Sequence, residues 1–236
     1  MDLSPLNKLT NNIPFSDTFV TMDETDDFLI ILKKHGVAVQ ATDAEQEDLE
    51  KILKSKYNTP IFVLNRIDQP VTGLVVFGKS KEFTEAFTEL LKERKVKKTY
   101  LAIVAGNPKA EPTELRHFLK KLHNRAMSAD VQVDHHYKEA VLTYSLLQSF
   151  DNYHLLKVDL ETGRFHQIRA QLATMEMPIK GDLKYGSRRP NLDRSICLLS
   201  YQLEFDHPFT GKTYRYEAPL PSNDVLWGLV DLALIK

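Results

Sequence analysis

Hydrophobic and polar positions along this chain come in short blocks, and most blocks have the length and period of β-strands. FLIIL at 28–32 and the apolar part of GLVVFGKS at 73–80 are unbroken apolar runs bounded by polar residues or glycine, which predicts two buried strands. A helix should follow the second. Ser80 can cap it, Glu82 sits in its first turn, and Phe83, Phe87, Leu90 and Leu91 recur at helical spacing on one face. KKTYLAIVA at 97–105 predicts a third strand. The stretches 141–150 and 153–161 predict two more, with Leu156, Val158 and Leu160 alternating against Lys157, Asp159 and Glu161, joined as a hairpin at Asp151-Asn152. ICLLSYQLEF and KTYRYEAPL flank DHPFTG, whose proline and glycine mark a tight reversal, and an apolar helix is expected from about Asn223. Residues 1–25 read as a polar leader, residues 40–56 as a connecting stretch, and 107–135 as a loop. Strands joined by short hairpin-like connections predict an α+β fold on a mixed, largely antiparallel central sheet with flanking helices.

Composition narrows the class. The chain has 236 residues, 42% of them hydrophobic, enough for a substantial core. No apolar run approaches the roughly 18 residues of a membrane span, and MDLSPLNKLTNN lacks the basic-then-apolar order of a signal peptide, so a cytoplasmic protein is expected. Cys197 is the single cysteine, which excludes an internal disulfide and a thiolate-rich metal site.

The net charge of −1 hides a division. Residues 1–50 hold 11 acidic against 3 basic residues, and residues 51–236 hold 28 basic against 21 acidic. Basic residues cluster at 92–98, 116–125 and 184–194, as surfaces that follow a phosphate backbone do, although each cluster alone also reads as a solvated face.

Phosphate-binding glycine loops, HExxH, a serine elbow and paired zinc-spaced ligands are all absent. His135 and His136 are neighbours; on a strand their side chains would point to opposite faces and could not easily share a metal, so surface or loop histidines are the expected reading. Two segments concentrate charge in apolar surroundings. The first is NRIDQPVTG at 65–73, where Arg66 and Asp68 follow an apolar run and Pro70 and Gly73 mark a loop, a common setting for catalytic groups. A local ion pair that tidies a turn is the competing reading. The second is ETGRFHQIR at 161–169, followed by PIKGD and YG. A helix opening at Phe165 would turn Ile168 and Leu172 inward and leave Arg169 on another face, available to a carboxylate. Histidine and glutamine satisfying backbone groups is the alternative there.

Taken together, NRIDQPVTGLVVFGKS, KKTYLAIVAG and TGRFHQIRAQLATMEMPIKGDLKYG resemble, in order and spacing, the motifs of the RluA-type family of RNA pseudouridine synthases. The resemblance runs from about Asp26 to Pro221 and implies a catalytic domain over residues 26–236. It implies that family's fold, with a cleft between two subdomains, and uridine isomerisation with no cofactor and no metal. It also implies roles. Asp68 would be the nucleophile, Arg66 would fill the stack vacated by a flipped uridine, Tyr100 would line the base pocket, and Arg169 would pair with Asp68. Ile168, Asn65, Thr72, Gly73, Arg164, His166, Gln167 and Lys98 would surround the substrate. Extruding a base costs a few kcal/mol, and an arginine plane can stack in the vacancy. A cation within about 4–6 Å favours the ionised carboxylate that a nucleophile needs. Whether Asp68 attacks base or sugar, or assists a glycal-like route, stays open.

The expected partner is an rRNA or tRNA stem-loop, bound by a monomer. Two positions depart from the family pattern: Asn65 stands where histidine is usual, and Lys34-His35 stand where Pro-Ala commonly follows the lysine, here Lys33. Two rival readings remain. One is a non-catalytic RNA-binding or RNA-folding factor of the same fold. The other is a hydrolase releasing uracil, for which no second carboxylate is evident.

Overall fold

The computed structural model describes residues 18–41 and 46–235. Among them, eleven strands form one sheet. They are β1 (Phe19–Glu24), β2 (Phe28–Lys33), β3 (Phe62–Val63), β4 (Thr72–Gly78), β5 (Lys97–Val104), β6 (Thr113–Leu122), β7 (Arg125–Ala129), β8 (Lys138–Ser149), β9 (His154–Leu160), β10 (Leu198–Asp206) and β11 (Thr213–Glu217). The spatial order is β1-β2-β4-β10-β5-β9-β8-β6-β7, with β11 on β10 and β3 on β4. Only the β4–β10 pair is parallel. The α+β class and the largely antiparallel sheet are therefore as expected.

The strands follow the apolar pattern. All six residues of β2 are buried, and in β9 Leu155, Leu156 and Val158 are buried while Asp159 is exposed. Helix α2 (Lys81–Lys92) starts where Ser80 Oγ accepts the Phe83 amide proton at 3.1 Å, and it buries Phe83 and Phe87. Each such side chain contributes about 1.5–3 kcal/mol on burial. Phe83 and Phe87 pack with Phe28, Phe205 and Tyr214 in an aromatic cluster that ties α2 to the sheet.

Several expectations give way. The connecting stretch 40–56 contains α1 (Leu49–Lys56), capped by Asp48, because Leu49 and Leu53 fall one turn apart and both are buried. Residues 107–135 carry the β6–β7 hairpin rather than a loop. Leu115, His117 and Leu119 face inward while Glu114 and Arg116 face solvent, so a one-sided strand looked polar overall. At the carboxy-terminal end there is a single turn, α4 (Val225–Gly228), and a 3₁₀ turn, Leu232–Ile235, instead of one helix. Of the stretch read as leader, residues 1–17 lie outside the described residues, and β1 occupies 19–24 as an edge strand. No helix among the described residues is long and apolar enough to cross a membrane.

One row across the sheet positions the site. Lys33 on β2 pairs with Gly73 on β4, Gly73 with Ser200 on β10, Ser200 with Tyr100 on β5, and Tyr100 with Val158 on β9. Gly73 has φ 133°, and a Cβ there would lie 2.4 Å from the Ser200 carbonyl oxygen, so no other residue fits without moving β10.

Candidate active site

Asp68 sits in the loop between β3 and β4, where its carbonyl accepts the Val71 amide proton at 3.0 Å and closes a turn. Arg169 comes from α3 (Gln167–Thr174), 101 residues later in the chain. Its Nη1 donates to Asp68 Oδ2 at 2.8 Å, and its Nε and Nη2 donate to the two oxygens of Asp182 at 2.7 and 2.9 Å. Arg169 is 4% exposed and Asp182 1%, while Asp68 keeps 23% of its side chain open to solvent. A buried guanidinium is costly unless its donors are matched. Burial works against the Arg169 charge, but Asp182 first and Asp68 next overcome it and hold its pKa above the ordinary arginine value. The Tyr185 ring packs against the same guanidinium, 5.0 Å from ring centroid to Cζ.

A second basic group is felt by Asp68. Lys33 is fully buried, and its Nζ donates to the carbonyls of Lys34, Val37 and Gln69 at 2.8, 2.9 and 3.2 Å. Those bonds tie the Asp68 loop to β2. Burial pushes the Lys33 ammonium down to about 7, with Asp68 opposing the shift. Tyr100 is also buried. Burial pushes its hydroxyl up to about 12, a bond to Ser200 opposes that, and Asp68 adds to it, so the phenol stays protonated at neutral pH.

Not every residue expected at the site faces it. Gln167 is wired to backbone: its side chain accepts from Thr162 Oγ1 at 2.7 Å and from the Arg164 amide at 3.0 Å, and donates to the Val141 carbonyl at 3.1 Å. Arg164 donates through Nε to the Glu139 carbonyl. Asn65 accepts the Val76 amide proton at 2.7 Å, pinning the loop to β4. Ile168 is buried beside Arg169 in a helix whose first six residues are all buried, so the two-faced helix opening at Phe165 is replaced by one that starts at Gln167 and is enclosed all round. Thr72 begins β4, and half-buried Lys98 on β5, its pKa lowered by burial, lies 3.7 Å from where a Cβ on Gly163 would stand. Arg66 is exposed, with its Nη1 3.4 Å from Gln40 Oε1.

His166 is buried, with Nε2 3.6 Å from Asp68 Oδ2. A cavity of about 500 Å³ is walled by Pro70, Arg169, Asp182, Asn191 and Arg194 among others, with neither Asp68 nor His166 in its lining.

Sequence reasoning assigned nothing to Asp182 or Tyr185, although GD and YG were visible in PIKGDLKYG. His135 and His136 are exposed loop histidines, as their sequence suggests, although they do not lie on a strand that would hold their side chains apart. Both lie in a turn, their rings 3.8 Å apart, and with Asp134 their donor atoms fall within 4.8 Å of one another. Asp134 is already engaged there by Lys120 Nζ at 2.9 Å and by the His136 amide at 2.7 Å.

The pattern of strands and the carboxylate held by an arginine can be set beside known proteins. A family model described as RNA pseudouridylate synthase matches residues 27–174. The chain belongs to that family. Pseudouridine synthases are isomerases, and so is this enzyme by membership. An uncharacterized RNA pseudouridine synthase of Haemophilus influenzae is 30% identical over 182 residues, 77% of this chain and 79% of that protein. Ribosomal large subunit pseudouridine synthase D of Pasteurella multocida is 30% identical over 240 residues, 91% of this chain and 70% of that protein, in keeping with the RluA-type resemblance. In structure, the human RNA pseudouridylate synthase domain containing 4 superposes with a TM-score of 0.71 at 20% identity, covering 88% of this chain and 90% of that one, and so shares the pseudouridine synthase fold.

Proposed function

We propose that this pseudouridine synthase isomerises a specific uridine in structured rRNA or tRNA, with the base flipped out of the RNA and Asp68 as nucleophile. The observation that carries the reading is the contact of Arg169 Nη1 with Asp68 Oδ2 at 2.8 Å, made by a guanidinium that Asp182 holds in place. An adjacent permanent cation favours the ionised carboxylate, which is the form able to attack. Arg66 is exposed on the same loop, free to enter the stack as the base leaves. Tyr100 supplies a ring wall and a protonated hydroxyl at the base pocket. Residues 26–236 act as the catalytic unit, and the basic side chains of the β6–β7 hairpin, with those at 184–194, contact phosphate. Phosphate contacts bring affinity rather than sequence choice, so the target uridine is selected by RNA shape and by the pocket. The enzyme works in the cytoplasm as a monomer; the buried, unpaired Cys197 suits a reducing compartment.

The test is pseudouridine mapping of rRNA and tRNA from cells lacking the protein, complemented with wild type or with Asp68→Asn. One site should vanish and return only with wild type, while purified Asp68→Asn keeps its RNA affinity. Restoration by Asp68→Asn would end the nucleophile assignment. No change at any site would favour the non-catalytic RNA-binding reading.

A further inference from the structure

His166 precedes α3 with φ 53° and ψ 26°, in the left-handed region, and its side chain makes no capping hydrogen bond. Helix N-caps are ordinarily extended, and Ser, Thr, Asp and Asn fill them because their side chains bond the free amides. A non-glycine residue in this conformation costs on the order of 1–3 kcal/mol and persists only where its surroundings enforce it. Here the strain turns the imidazole inward, toward the carboxylate.

One face and both nitrogens of the ring then have neighbours. The Phe165 ring stacks on it at 3.8 Å with an interplanar angle of 17°. Nδ1 lies 2.9 Å from the Tyr185 hydroxyl. That hydroxyl oxygen accepts the Ala126 amide proton of β7 at 2.7 Å, which leaves its own proton to be donated to Nδ1. With Nδ1 as acceptor, the neutral ring carries its proton on Nε2, which faces Asp68 Oδ2. Burial holds the ring neutral, pushing it down to about 4; Asp68 and Asp182 oppose the shift, and Arg169 and Lys184 add to it.

Arg169 Nη1 also bonds Oδ2, so two N–H groups are directed at one oxygen of Asp68. Among the described residues, the hydrogen bond to the Asp68 carboxylate falls on Oδ2 and none falls on Oδ1. The 3.6 Å separation is longer than a hydrogen bond, and contacts of this kind tighten when substrate binds.

We propose that His166 is a positioning residue for Asp68: its Nε2–H, directed by the Tyr185 hydroxyl, joins Arg169 on Oδ2 and reserves Oδ1 as the reacting oxygen. The assignment rests on Asp68 being the nucleophile. Oδ1 supplies the electron pair, and His166 neither gives nor takes a proton. Tyr185 is itself held by β7 of the basic hairpin, through the Ala126 amide.

Two measurements test it. Nitrogen-15 NMR of histidine-labelled enzyme should show His166 as the Nε2–H tautomer with Nδ1 accepting, and Tyr185→Phe should abolish that preference. In single-turnover assays His166→Ala should lower the rate of pseudouridine formation about tenfold to a hundredfold with RNA affinity within about twofold, as for loss of one aligned donor. His166→Gln, which retains an N–H at the Nε2 position, should recover most of the rate. An Nδ1–H tautomer in wild type overturns the assignment, as does a His166→Ala variant that loses affinity but not rate. Should His166→Ala fail to fold, the wild-type tautomer and its loss in Tyr185→Phe still decide. An inactive wild-type enzyme overturns the functional reading instead, and the tautomer is read independently of it.

Discussion

Arg169 and Lys33 are both buried cations that act on Asp68, and they are satisfied by different chemistry. Arg169 spends three N–H groups on two carboxylates, so its charge is matched by charge and its pKa rises. Lys33 spends its donors on three backbone carbonyls, dipoles that leave the cost of burial uncompensated, and its pKa falls to about 7. Arg169 is thus a constant partner for Asp68 over any physiological range. Lys33 is a conditional anchor of the Asp68 loop, charged or neutral according to pH.

The comparison breaks most visibly at Asp182. Replacing it with alanine strands the Arg169 fork, and losing one partner of a buried pair costs about 3–5 kcal/mol. Urea unfolding of Asp182→Ala should show a loss of that size, together with lower pseudouridine formation; a loss near zero would mean that Asp68 alone satisfies the guanidinium. Lys33→Met tests the other cation through pH. The folded pKa of Lys33 lies below the ordinary 10.5, so between about 7 and 10.5 the unfolded chain binds a proton that the folded one has released. Wild-type stability relative to Lys33→Met should therefore rise with pH across that window, by at most about 1.4 kcal/mol per pH unit, and stay level below it. A flat difference from pH 6 to 10 would show that the carbonyl cage keeps the ammonium charged throughout.

Asn65→Ala is a smaller break, removing the acceptor of the Val76 amide without touching a charge. It should cost about 1–2 kcal/mol in the same unfolding assay, as for a buried donor left unpaired, and a neutral result would mean that water replaces the side chain. Lys97→Gln is the control for cations outside the core. Lys97 pairs with Glu204 at 2.7 Å on the open surface of the sheet, where solvent screening leaves such pairs little to contribute, so its melting temperature should match wild type within replicate scatter.

Different parts of the molecule were unequally legible. β2, β4, α2, β5 and the β8–β9 hairpin could be read directly because each buries a continuous or strictly periodic apolar face. The β6–β7 hairpin could not: exposed Glu114, Arg116 and Lys121 masked the alternation of Leu115, His117 and Leu119. The enclosed helix α3 was harder still. Gln167, Arg169 and Gln171 are buried there by partners drawn from β6, β8 and the loop holding Asp182, none of them adjacent in the chain. Asp68, Arg169 and the motifs around them marked the site, whereas Asp182 and Tyr185 acquire meaning only through what they touch.

The sequence by itself determined the α+β class, the family and the two segments that hold Asp68 and Arg169, since local period, turn residues and motif spacing are properties of neighbours along the chain. Tertiary structure alone decided that β10 inserts between β4 and β5, that Gly73 must clear Ser200, and that Arg169 and His166 both approach one oxygen of Asp68. The physical reason is distance. A hydrogen bond or ion pair depends on a few tenths of an ångström between groups far apart in the chain, 101 residues for Asp68 and Arg169, and only packing brings them that close.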